Sequence, residues 1–276
     1  MGITTGKAFG LGVARAHVME LNTAGSPKAV GTAAYYGVEV VGVQDLTLTI
    51  PDPQKKTHLG NNQPLQVDFL PPTEAISGSM KCSEMDQILY ALLTGTKRRT
   101  LAEGTMVGLG TNMQGFEPQV ALLVTQQALD EAGNRNWITA ICPKCVMYPH
   151  QGNMDANPTV HSFDIAPAFV MAHLWGVLFT MLAEGYTRSQ VSMWQTQHPL
   201  GVCSWLPGVQ VPGYLCAFGA DKLASAAAKV AMFKNEALMT VTTDYTVSVG
   251  LDSIALVAAP GATDRYTCFY EYPEPA

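Results

Sequence analysis

Residues 69–95 read FLPPTEAISGSMKCSEMDQILYALLTG, and the hydrophobic period changes once within them. Pro71 and Pro72 dictate an extended, rigid start, because proline fixes φ and disfavours the helical region for the residue before it. Ala75 to Lys81 then predicts a short strand. From Ser83 the pattern becomes helical: Met85, Ile88, Leu89, Leu92 and Leu93 fall three and four apart, which is one face of a helix over 83–94. Ser83 is the expected N-cap, with Glu84 and Asp86 placing negative charge on the exposed amides of the first turn. Gly95 supplies the left-handed residue after the last turn, followed by Lys97, Arg98 and Arg99. A single short helix with one apolar face needs a sheet to cover, so the stretch predicts a β body with a flanking helix.

The segments on either side fit that body. Upstream, Arg15–Leu21 predicts a first strand, and Gly25, Ser26 and Pro27 a turn. A long β-rich run from Ala33 to Ile50 follows, in which Leu46, Leu48 and Ile50 alternate with Thr47 and Thr49. Gly37 and Gly42 mark expected bends in that run. Residues 51–63 are polar and read as a hairpin tip or an extended loop, before a strand carried by Leu65, Val67 and Phe69. Downstream, residues 98–116 show no clear period and read as a long loop. Gln119–Thr125 and Trp137–Cys142 read as a hairpin pair around Gly133. Val146–Met154 reads as irregular and Thr159–Ile165 as a strand. Residues 185–219 read as irregular with short strands, and Asp221–Phe233 as a second helix, capped by Asp221 with Leu223, Ala227, Val230 and Phe233 on one face. Strands are expected again at Leu238–Val241, Tyr245–Val249, Ile254–Val257 and Tyr266–Tyr272, with turns at Asp252-Ser253 and Pro260-Gly261.

Composition narrows the class. Of 276 residues, 47% are hydrophobic, enough for a substantial core, but only 14% are charged, which is low for a free monomer and suits a surface partly covered by neighbours. The net charge of −6 argues against a grip on nucleic acid by phosphate neutralisation. The six cysteines are sparse for this length, so reduced, buried thiols in a cytosolic setting are expected. The opening MGITTGKAFG lacks the charged-then-apolar order of a secretory signal. Ile165–Ala183 is long and apolar enough to cross a bilayer, but Pro167, His173 and Gly176 interrupt it and no basic flanks set an orientation. A buried strand followed by a turn or helix is the expectation there.

No constellation of residues points to catalysis. Cys142 and Cys145 form CPKC, the weak metal candidates of the chain. His150, His161 and Cys203 are the available further ligands, yet the spacing matches no zinc motif and no helix follows as a redox pair requires. Ordinary reduced cysteines at a strand end are the expectation. The histidines find no G-x-S-x-G elbow to serve, and His173 reads as a core residue. GLGVAR at Gly10 lacks the third glycine of a dinucleotide fingerprint, and the Gly108–Gly110 region lacks a Walker lysine. The carboxylates are scattered, so no enzyme, no catalytic residue and no cofactor are expected.

The order of DLTLTI at Asp45, the DFLPPTEAISGSM run from Asp68, the helix MDQILYALLTG and the closing strand TDRYTCFYEY resembles the major tail tube proteins of long-tailed, non-contractile bacteriophages, over roughly residues 13–145 and 238–272. The resemblance implies a mainly β, sandwich- or barrel-like fold with a flanking helix. It divides the chain into an N-terminal arm (1–12), a tube domain (13–184), an inserted region (185–237, with the helix 221–233) and C-terminal strands completing the β domain (238–276). It further implies stacked hexameric rings forming a tube through which genomic DNA leaves without specific binding. Tape measure, tail terminator and distal tail proteins would be the partners, with assembly in the bacterial cytoplasm, placement in the virion tail and no membrane. The competing readings are another β-sandwich virion protein, such as a head decoration or tail terminator, a membrane-associated or metal-binding protein built on Ile165–Ala183 and CPKC, and a hydrolase with an unrecognised site.

Overall fold

Nearly every element is a β-strand, as the β-branched and alternating segments require. The computed structural model describes residues 9–22, 25, 27–28, 37–40, 42–49, 51–52, 54–60, 63–70, 76–84, 86–95, 98–101, 104–107, 118–129, 133–149, 160–168, 170–171, 188–189, 192–196, 199–205, 215–217, 230–235, 237–247, 253–261 and 263–271. In chain order the first elements are β1 (Phe9–Glu20), β2 (Val38–Val40), β3 (Val43–Thr49), β4 (Gln54–Gly60), β5 (Gln63–Leu70), β6 (Ser77–Cys82) and the helix α1 (Gln87–Thr94). There follow β7 (Arg98–Leu101), β8 (Gly104–Val107), β9 (Val120–Leu129), β10 (Arg135–Pro149), β11 (His161–Pro167), β12 (Val170–Met171), β13 (Arg188–Ser189) and β14 (Ser192–Thr196). The last are β15 (Leu200–Trp205), β16 (Leu215–Ala217), β17 (Val230–Lys234), β18 (Ala237–Leu238), β19 (Tyr245–Val247), β20 (Ser253–Leu256) and β21 (Tyr266–Glu271).

An eight-stranded antiparallel sheet, in the order β2-β1-β9-β10-β11-β6-β3 with β14 alongside β10, forms the body. Its two ends, β2 and β3, are one stretch of chain bent at Gly42, where φ is +68°. A side chain there would strike Ser83, whose N–H donates to the Gly42 carbonyl at 2.9 Å. The sheet therefore curls until its ends share a corner, which makes it barrel-like and gives it an enclosed face. That face holds Ala16, Val18, Val40, Met80, Cys82, Val120, Leu122, Val124, Phe163 and Ile165, with Leu89 and Leu93 of α1 closing over them. Fully burying a leucine stabilises by roughly 1.5–3 kcal/mol, so α1 is held mainly by this face rather than by its own short length.

The second layer is the four-stranded sheet β15-β21-β17-β18. Leu200, Phe233 and Phe269 from it meet Met19, Ala121, Leu123 and Ile141 on the outer face of the body. Phe269 is the centre of this contact, with Phe233 edge-on at 6.2 Å and Trp194 of β14 tilted at 5.9 Å between ring centroids. The fold is thus mainly β, a sandwich of two antiparallel sheets with one short flanking helix. Four smaller ladders complete the pairing among the described residues: β16-β20-β19, β12-β13, and the hairpins β4-β5 and β7-β8.

Several sequence expectations are corrected. The helix begins at Gln87, and Asp86 rather than Ser83 caps it, its carboxylate accepting from the Ile88 N–H at 3.1 Å. Gly95 ends the helix in the left-handed region at φ +67°, as expected. Met85, Pro71 and Pro72 lie outside the described residues. The first strand starts at Phe9, so residues 9–12 of the expected arm are strand, with Phe9 opposite Leu129 and Gly10 opposite Ala128. Lys55 and Lys56 lie in a strand, because Gln54–Gly60 pairs along its length with Gln63–Leu70. Arg98 and Arg99 likewise begin a hairpin, not a loop. Val146–Pro149 continues β10, since β11 offers it a partner. Val230 and Phe233 of the expected second helix stand in β17, paired with β21. Tertiary pairing there overrides the helical spacing, and residues 218–229 lie outside the described residues. Of the apolar segment 165–183, Ile165–Pro167 ends β11 and Val170–Met171 forms β12. Among the described residues no helix is long and apolar enough to cross a membrane.

Candidate functional site

Cys142 and Cys145 sit at a fork in the sheet. The first half of β10, Trp137–Ile141, pairs with β14, whereas Cys145–Pro149 pairs with β11. The change of partner falls on Cys142-Pro143-Lys144-Cys145, where the register against β9 also shifts: Cys142 is opposite Leu122 and Cys145 opposite Val120. In a regular strand, residues three apart face opposite ways. The bulge supplies the extra residue that turns both thiols to the enclosed face. Pro143, which has no N–H to donate, falls where the ladder is already broken. The Lys144 carbonyl accepts from Ala168 N–H at 2.8 Å, which fastens the bulge to the end of β11.

That position suits packing better than chemistry. Burial pushes the Cys142 thiol up to about 12, and burial, with Cys142 beside it, pushes Cys145 well above its ordinary value. Metal binding and nucleophilic attack both need the thiolate, which this environment disfavours. Cys82 and Cys268 are also free and buried. Cys82 is raised by burial, partly offset by its contact with the Glu84 carbonyl. His161, a candidate further ligand, opens β11 opposite Cys82. His150 and His173 lie outside the described residues. Among those described, no group of three or more His, Cys, Asp and Glu side chains is placed to hold a metal ion.

Three of the described carboxylates serve structure. Asp86 caps α1. Asp264 accepts from Lys234 Nζ at 2.8 Å, from Asn235 Nδ2 at 2.9 Å and from the Gly261 N–H at 2.6 Å, clamping the chain before β21 to the end of β17. Asp244 accepts from the Thr240 N–H at 2.7 Å and fixes the turn before β19.

Two further features of the described residues stand apart. Among the described residues the β4-β5 hairpin forms a ladder only with itself. A lone two-stranded hairpin is marginal in water, so this one calls for support from elsewhere. Its strand Gln63–Leu70 was legible from Leu65, Val67 and Phe69; its first strand, QKKTHLG, was hidden by polar composition. The second feature is Leu238, Val241 and Val257, exposed by 58, 51 and 47%. Nothing in their local alternation separates them from core positions, so only the structure reveals them. No protein-family model matches the chain, and no curated protein matches it either.

Proposed function

We propose that the protein is a structural, non-enzymatic subunit that assembles with copies of itself into stacked rings, as a tail tube protein of a long-tailed bacteriophage does. The observation that carries this reading is the β4-β5 hairpin, a ladder of Gln54–Gly60 with Gln63–Leu70 that, among the described residues, extends no other sheet. A ladder that joins no described sheet is one that a neighbouring copy can extend or cover. The low charged fraction of 14% fits the same arrangement. The sequence resemblance supplies the particular assembly: hexameric rings around a channel for DNA, in a virion tail assembled in the host cytoplasm. A net charge of −6 favours passage of a polyanion over its retention.

Negative-stain microscopy of the purified protein tests the proposal. Rings or tubes with six-fold symmetry are the expected result. A protein that remains monomeric across concentration and salt would overturn it.

A further inference from the structure

We draw no further inference here: the strongest candidate, the apolar stretch of residues 172–187 between β12 and β13, beyond the fork in β10, lies outside the described residues, and nothing in the structure shows what covers it.

Discussion

Strands β9 and β11 flank β10 in the same sheet and are buried in different ways. On β9, Val120, Leu122 and Val124 face the enclosed core, while Ala121 and Leu123 face the second sheet. On β11, Phe163 and Ile165 face the core at 0 and 1% exposure, while Asp164 and Ala166 face solvent. The difference lies in what stands outside. The sheet β15-β21-β17-β18 covers the body over β1, β9 and β10, and among the described residues nothing from it packs on β11, β6 and β3. The bare strands carry Thr47, Thr49, Ser77, Lys81 and Asp164 on their outer side, all exposed except where neighbours touch them. A strand buried on both faces has no reason to alternate, and one buried on a single face must.

The largest effects should come from aromatic residues on the enclosed side. Phe163→Ala should cost about 3–5 kcal/mol, the range for emptying a packed aromatic site. Ala166→Ser, on the bare side of the same strand, should stay within about 0.5 kcal/mol. Denaturant unfolding of both variants measures the contrast, and equal costs would break the one-faced description of β11. On β9 the neighbours Leu122→Ala and Leu123→Ala should each cost about 2–5 kcal/mol. A negligible cost for Leu123→Ala would mean that the second sheet does not cover β9. The helix follows the one-faced rule. Leu89→Ala, at 1% exposure, should cost about 2–5 kcal/mol, and Ile88→Ala, at 44%, far less.

These contrasts explain what was legible beforehand. One-faced elements announce themselves: Leu46 and Leu48 against Thr47 and Thr49, and Leu89 with Leu93 on the helix, were placed from period alone. The glycine corners at 37, 42 and 95 were legible because positive φ favours that residue. Two-sided burial was not legible. In the closing strand Tyr266, Cys268 and Tyr270 alternate in sequence with Thr267, Phe269 and Glu271, yet Tyr266, Cys268, Phe269, Tyr270 and Glu271 are all buried. Val230 and Phe233 misled because three-apart spacing is shared by helices and by short strands covered on both sides, and only pairing with β21 decides between them. The bulge at CPKC was invisible because a change of strand partner leaves no local mark. The uncovered apolar turn at Val241 was missed for the opposite reason, as its residues look like core residues.

The fork offers a smaller effect. Cys142→Ser and Cys145→Ser together should leave a folded protein, each hydroxyl costing about 1–3 kcal/mol for burial without a built partner. The parent should contain no metal by elemental analysis. Stoichiometric zinc that the double variant loses would turn the bulge from a packing device into a site.

The smallest effect should lie at the rim of the second sheet, where Asp264 joins two segments in contact with water. The hydrogen bond from Lys234 holds the Asp264 carboxyl below its usual range, with help from the Gly261 N–H and Asn235, against the opposing effect of burial. The same hydrogen bond raises Lys234. A lowered carboxylate contributes stability that is present above its unfolded value and is lost as pH falls through the folded one. A raised lysine contributes stability that is present below its unfolded value and is lost as pH rises through the folded one. The clamp therefore acts across the neutral range and fails at both ends, first in acid for Asp264. Its size is bounded by exposure: the Lys234 side chain is 41% accessible, and ion pairs in such settings contribute roughly 0.2–1 kcal/mol. Asp264→Asn should lower stability by about that amount at neutral pH, and should remove the corresponding part of the acid limb below the ordinary carboxylate range. Urea unfolding of the parent and the variant over a pH series checks both statements. Acid limbs that run parallel down to the lowest pH would show that the clamp carries no charge-dependent stability, and would leave shape alone to join β17 to the chain before β21.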